Sequence, residues 1–197
     1  MAESIKSSGS VFAVAVQVIT DPRRFFANMP RTGGFRDPMI FFFAMASVGW
    51  LINLIGTTLI IGKTSLLSFV VMALAGPVVL FIAGFLGALI LHIIWQLLGS
   101  DASYETSYRT LAYATGISPL TSLISFIPVV GVPFSIAWAV FLVIVATVEV
   151  HRIKSTLAWA VWGVIGLFLI VSTVVVQFNI GREMTELRAF NTISMSR

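Results

Sequence analysis

Residues Leu91–Leu120 read LHIIWQLLGSDASYETSYRTLAYATGISPL, and they form the main polar interruption in an otherwise apolar chain. An apolar helix acquires His92 and Gln96, breaks at Gly99-Ser100-Asp101, and restarts with Tyr104, Glu105, Tyr108, Arg109 and Tyr113. It returns to apolar sequence through Gly116 and Pro119. Gly followed by Ser and Asp stops one helix and starts another, so this stretch is the end of one long helix and the opening of the next. Two long helices joined by so short a polar turn lie antiparallel. What those helices are immersed in follows from the rest of the chain.

Hydrophobic residues make up 58% of the 197 and charged residues only 10%, with a mean hydropathy of +1.01. A soluble domain carries about a quarter charged residues, so the solvent of this chain is the bilayer. Each spanning helix takes ~20 apolar residues, which leaves room for a single membrane domain. Cysteine is absent, excluding disulfides, thiolate metal sites and thiol nucleophiles. The net charge of +4 reads as basic residues at an anionic membrane face rather than as nucleic-acid binding.

The expected fold is an all-α integral membrane protein, a five-span helical bundle preceded by a short interfacial amphipathic helix. Residues 1–36 form a cytoplasmic N-terminal arm, 37–178 the membrane domain, and 179–197 a polar C-terminal tail. Val11–Ile19 is too short to span the hydrocarbon and lacks the basic start of a cleaved leader. Asp21 is a good N-cap and Pro22 a good first helical residue; Arg23 and Arg24 beside Phe25 and Phe26 suit a helix lying in the interface. The spans fall at about 38–61, 66–98, 104–126, 134–150 and 156–178. Asn53, within the first, is placed to bond a neighbouring helix.

The run Leu66–Leu98 is 33 residues long, about 50 Å as a helix. Pro77 inside it calls for either one bent helix or a re-entrant piece followed by a span. Gly84 and Gly87 offer a smooth face for another backbone, including a second copy of the chain. The third span carries Thr106, Thr110, Thr115, Ser118 and Ser122, and belongs inside the bundle rather than against lipid. Ile127 to Pro133 is a tight apolar turn. With the N-terminus in the cytoplasm, 8 of the 12 basic residues face inward, Lys6, Arg23, Arg24, Arg31, Arg36, Arg109, Arg152 and Lys154. The positive-inside rule favours that orientation, with the bacterial inner membrane as the location.

The order of these features resembles the Yip (Ypt-interacting protein) domain family in its short bacterial form. The resemblance rests on Asp21-Pro22-Arg23-Arg24-Phe25-Phe26, His92 ahead of Leu98-Gly99, and the Tyr104-Glu105 restart. Leu111-Ala112-Tyr113-Ala114, Ile127-Pro128-Val129-Val130-Gly131 and His151-Arg152-Ile153-Lys154-Ser155 complete it, covering about residues 17 to 175. It implies five spans with a cytoplasmic N-terminus. Eukaryotic members act in early secretory traffic and bind prenylated Rab-type GTPases through a longer N-terminal region than the 36 residues here. The resemblance carries over no catalytic residue.

Enzyme signatures are missing: there is no HExxH, GxSxG or GxxxxGK[ST]. In the five-span arrangement His92, Gln96, Tyr104, Glu105, Tyr108, Arg109, Tyr113, Glu149 and His151 gather towards one leaflet. They could form a pocket for a lipid headgroup or partner. The alternatives are ordinary helix-end residues, with Glu105 and Arg109 a simple i,i+4 pair, or a metal or proton site, although the spacing fits no metal motif. Tyr104, Tyr108, Trp95, Trp159 and Trp162 are expected in an aromatic belt, and Arg23, Arg24, Arg31 and Arg36 on anionic lipid. The leading expectation is a non-enzymatic scaffold or lipid- and partner-binding factor, without metal or cofactor. The rival is a small-solute or ion transporter using the broken second and third spans.

Overall fold

The structure is a computed structural model that describes residues 10–62 and 65–195. Helix α1 (Val11–Thr20) is capped by Ser10, whose Oγ accepts from the Ala13 N–H, and α2 (Pro22–Asn28) by Asp21, whose carboxylate accepts from the Arg24 N–H at 3.2 Å. The long helices are α3 (Arg36–Ile61), α4 (Leu66–Leu97), α7 (Gly131–Glu149) and α8 (Ser155–Met195). Between α4 and α7 lie α5 (Tyr104–Ala114), a 3₁₀ turn at Thr115–Ile117, and α6 (Ser118–Ile124).

Among the described residues four helices, α3, α4, α7 and α8, are long and apolar enough to cross a membrane. The expected third span is not one of them. It is divided at the 3₁₀ turn into two short helices. The division follows from sequence: Thr115 and Gly116 weaken the helix and Pro119, in the first turn of α6, cannot donate to the turn before it. The segment still packs along α3. α5 begins beside the Arg31–Gly34 loop, while Ser125, which caps α6, donates to Asn53 of α3. Asn53 thus bonds a neighbouring element, as expected.

The α4–α5 break falls where the sequence puts it. Gly99 adopts φ +92°, a left-handed conformation that costs glycine little. This turns the Ser100 N–H back onto the Trp95 carbonyl at 2.9 Å, and Ser103 then caps α5 through the Thr106 N–H. Helix α4 is continuous through Pro77, which settles the choice against a re-entrant piece. Pro77 cannot donate to the preceding turn. The Trp50 indole of α3 donates to the carbonyl of Met72 in that turn, at 3.1 Å.

Three apolar clusters hold the bundle. One joins α3, α4 and α5 through Phe42, Ala46, Ala88, Tyr108 and Ala112. A second joins α4, α7 and α8 through Trp95, Ile144, Ala158 and Trp162. The third plugs the N-terminal arm into the bundle: Val18, Phe25, Phe26 and Met29 pack on Leu142, Val145, Ala146 and Val150 of α7 and on Ile117. Phe25 and Phe26 thus fill a slot in the core rather than facing lipid, while Arg23 and Arg24 stay exposed.

The face at Gly84 is also occupied within the chain. The Phe42 ring lies where a Gly84 side chain would sit, 2.6 Å from an added Cβ, and Leu111 covers Gly87 at 3.4 Å. The outer surface carries Leu59, Leu66, Leu74, Leu97, Val164 and Phe168, all exposed. So much apolar surface is what a lipid solvent allows.

Candidate functional site

The polar residues lie at the end of the bundle where three connections meet. These are the Pro30–Phe35 loop after α2, the Leu98–Ser103 turn after α4, and the Val150–Lys154 turn after α7. Arg109 stands on α5 just below the first. Its side chain is buried, and its guanidinium donates Nε–H to the Pro30 carbonyl and Nη1–H to the Gly34 carbonyl, each at 2.7 Å. Glu105, one turn earlier, accepts the Gly34 N–H at 2.7 Å and lies 3.9 Å from Arg109. Thr106 donates to the Arg31 carbonyl at 2.9 Å. Three side chains of one helical turn thus clamp the loop by its backbone.

This use of Arg109 and Glu105 differs from the expected pocket. Their i,i+4 spacing permits a simple helical pair, yet their shorter contacts are to a loop more than seventy residues away. Planar guanidinium donors suit two carbonyls at once in a way that an ammonium does not.

The other expected residues form separate groups. His92 Nδ1 lies 3.0 Å from Ser107 Oγ, and its ring meets Tyr104 edge-on. Tyr104 donates to the Phe85 carbonyl, and Tyr108 is fully buried against the Phe85 ring at 4.5 Å. Gln96 donates to the Ala102 carbonyl within the α4–α5 turn. Tyr113 lies away from this face, between Phe25 and Phe41. Glu149 faces a different groove, shared with Arg23. Arg24 and Arg36 are exposed. The nine residues do not converge on one pocket, because neighbouring helices claim them in pairs.

His151 is buried as well. Its ring stacks on Trp95 at 3.8 Å, and Nδ1 lies 2.8 Å from Ser100 Oγ. Trp95 donates in turn to Thr147 at 2.8 Å, so the indole expected in the aromatic belt is a core residue. Trp162 is buried beside it, whereas Trp159 is exposed as a belt residue should be. Burial, with smaller contributions from His92 and Arg31, lowers the His151 pKa to about 3. The ring is neutral at physiological pH. Its Nε2 is buried without a hydrogen-bond partner among the described residues.

Above His151 opens a cavity of about 590 Å³, bounded by Arg31, Thr32, Ser100, Asp101, Ser103, Thr106, His151 and Arg152. Arg31, Asp101 and Arg152 are exposed to it, and none forms an ion pair with a described residue. With two cations, one carboxylate and a neutral imidazole, the site carries a net positive charge. Arg152 has φ +57°, a left-handed conformation that is costly for a residue with a Cβ. Sequence reasoning placed Arg152 only in a connector, and its signal there was the helix stop before Ile153. Among the described residues no three His, Asp or Glu side chains stand close enough to hold a metal ion.

Comparisons with known proteins agree with this architecture. No curated protein and no solved structure matches the chain. A family model, the Yip1 domain, matches residues 16–176, from α1 into α8. That match takes in the plugged arm, the clamp, the cavity and all four membrane-length helices. The chain is therefore a multi-pass membrane protein belonging to the Yip1 domain family.

Proposed function

We propose that the chain is a non-enzymatic membrane factor of five crossings whose cavity at the cytoplasmic face holds the phosphate of an anionic lipid headgroup. The observation that carries the reading is the pair of guanidiniums, Arg31 and Arg152, without an ion pair among the described residues, on a polar cavity of about 590 Å³ at the bundle end. Arginine recognises phosphate oxygens bidentately, and Ser100, Ser103 and Thr106 line the same cavity as hydroxyl donors. The fifth crossing in this reading is the pair α5–α6, with its Thr and Ser side chains turned among the other helices. The broken backbone is tolerable at membrane depth because protein surrounds it. The basic residues of the arm and of the α7–α8 turn support a cytoplasmic placement of this face.

The test is native mass spectrometry of the protein extracted gently from a bacterial inner membrane. Expected is a retained anionic phospholipid that Arg31→Gln and Arg152→Gln each weaken about tenfold, the loss of one charge-assisted contact. If the double variant keeps the same lipid with the same retention, the reading fails.

A further inference from the structure

A second groove, of about 240 Å³, lies on the outer wall of the bundle between α2, α7 and α8. Its polar end holds Arg23 and Glu149, neither in an ion pair among the described residues. Below them half-buried Phe141 and Val148 edge the groove, and the core residues Ile144 and Val145 form its floor. From Glu149 to Phe141 is eight residues, about 12 Å of helix. Trp159, exposed, forms the α8 side.

We propose that this groove binds a zwitterionic phospholipid with a primary amine head, the ammonium on Glu149 and the phosphate on Arg23. Charge complementarity selects that occupant. Glu149 is the last residue of α7, where the helix dipole already favours a cation. Ser155, on the groove wall, is the first residue of α8, where the dipole favours an anion. A purely anionic head satisfies Arg23 and leaves Glu149 facing a like charge. A choline head carries its charge without N–H groups and cannot donate to the carboxylate. Phe141 and Val148, half-buried at the edge of the groove, then border the upper part of an acyl chain, and the exposed Trp159 indole suits a headgroup boundary. This site shares no residue with the Arg31–Arg152 cavity, so either can fail without the other.

The full-length protein in mixed micelles is titrated separately with phosphatidylethanolamine, phosphatidylcholine and phosphatidylglycerol, and bound lipid is counted by native mass spectrometry. Expected for the wild type is a preference of about tenfold for the ethanolamine lipid over choline, the worth of one charge-assisted hydrogen bond. Glu149→Gln, nearly isosteric, should abolish the preference, weakening ethanolamine lipid about tenfold more than choline lipid, which loses only the charge attraction. Glu149→Asp should restore part of it. Arg23→Gln should weaken ethanolamine and choline lipids alike, and Arg152→Gln neither. Equal binding of ethanolamine and choline lipids to the wild type, or an undiminished preference in Glu149→Gln, would overturn the assignment.

Discussion

Replacing Arg109 with Ala should release the N-terminal arm while the bundle stays folded. Arg109 makes two hydrogen bonds of 2.7 Å to the Pro30 and Gly34 carbonyls from a buried position. Charge-assisted bonds contribute ~1.5–3 kcal/mol each; at the low end, since the freed carbonyls regain water, the pair is worth about 3 kcal/mol. At ~1.4 kcal/mol per decade, the open population of the arm then rises about 150-fold. The chain has no cysteine, so a single Met29→Cys substitution reports on opening without background. Met29 is buried at the end of α2, one residue before the clamped carbonyl. Its labelling by a water-soluble maleimide should accelerate by roughly two orders of magnitude in Arg109→Ala. Arg109→Lys, which cannot fork to both carbonyls, should give an increase of about tenfold. An Ala158→Cys control in the separate α4–α7–α8 core should remain protected in both. A change below about threefold in Arg109→Ala, with Ala158 still protected, would refute the clamp, since two bonds of this kind cannot be worth so little.

Other consequences can be checked on the same preparation. His151, held near pKa 3 by burial against an unfolded value of 6.5, binds its proton in the unfolded chain first. Stability is therefore full above pH 6.5 and falls with acidification, by about 2 kcal/mol at pH 5. Melting curves from pH 7.5 to 5 should show this, and His151→Phe should flatten the slope. Gly131→Ala puts a Cβ onto the Ile124 carbonyl, a backbone atom, whereas Gly56→Ala meets only the Phe126 ring. The first should cost about 3 kcal/mol and lower the melting temperature by roughly 6–12 °C, the second clearly less. Arg152→Gly relieves a left-handed φ and should raise stability by about 1 kcal/mol while weakening anionic-lipid retention. A double-mutant cycle on Trp95→Phe and Thr147→Val should return a coupling of about 1 kcal/mol for the buried indole–hydroxyl bond.

Helix ends were the most legible part of the sequence. Asp21 and Gly99 act locally, through bonds within four or five residues, and each lies where its type predicts. The faces of the long helices were not legible. α4 is apolar all round, so its periodicity cannot say that Trp95 turns inward while Leu97 faces out. The belt assignment for Trp95 and Trp162 failed for that reason. Phe25 and Phe26 beside two arginines have the composition of an interfacial helix. Only the slot left by α7 and Ile117 shows that they are core residues. Arg109 and Glu105 were expected in a ligand pocket, but their partners are backbone atoms of a distant loop, which no side-chain pattern encodes. The cavity residues Thr32, Ser100 and Arg152 become neighbours only when three connections meet.

The division of the segment between α4 and α7 also bears on how the chain enters its membrane. Helices α3 and α4 are apolar enough to partition into lipid as they emerge from the translocation machinery. α5, with Glu105, Thr106, Ser107, Arg109 and Thr110 in succession of polar and charged groups, is not. Its hydroxyls and guanidinium are satisfied by the arm, by its own backbone and by α4, all synthesised earlier. α6 finds its anchors in Asn53 of α3 and Ser135 of α7, and Ser135 is made afterwards. On the proposed five-crossing reading, the segment is best threaded late, drawn in as a hairpin with α7 onto a template of α3 and α4 already in place. The orientation of α8 would then depend on tertiary assembly as well as on the order of emergence, and a damaged clamp would be felt first as misinserted protein.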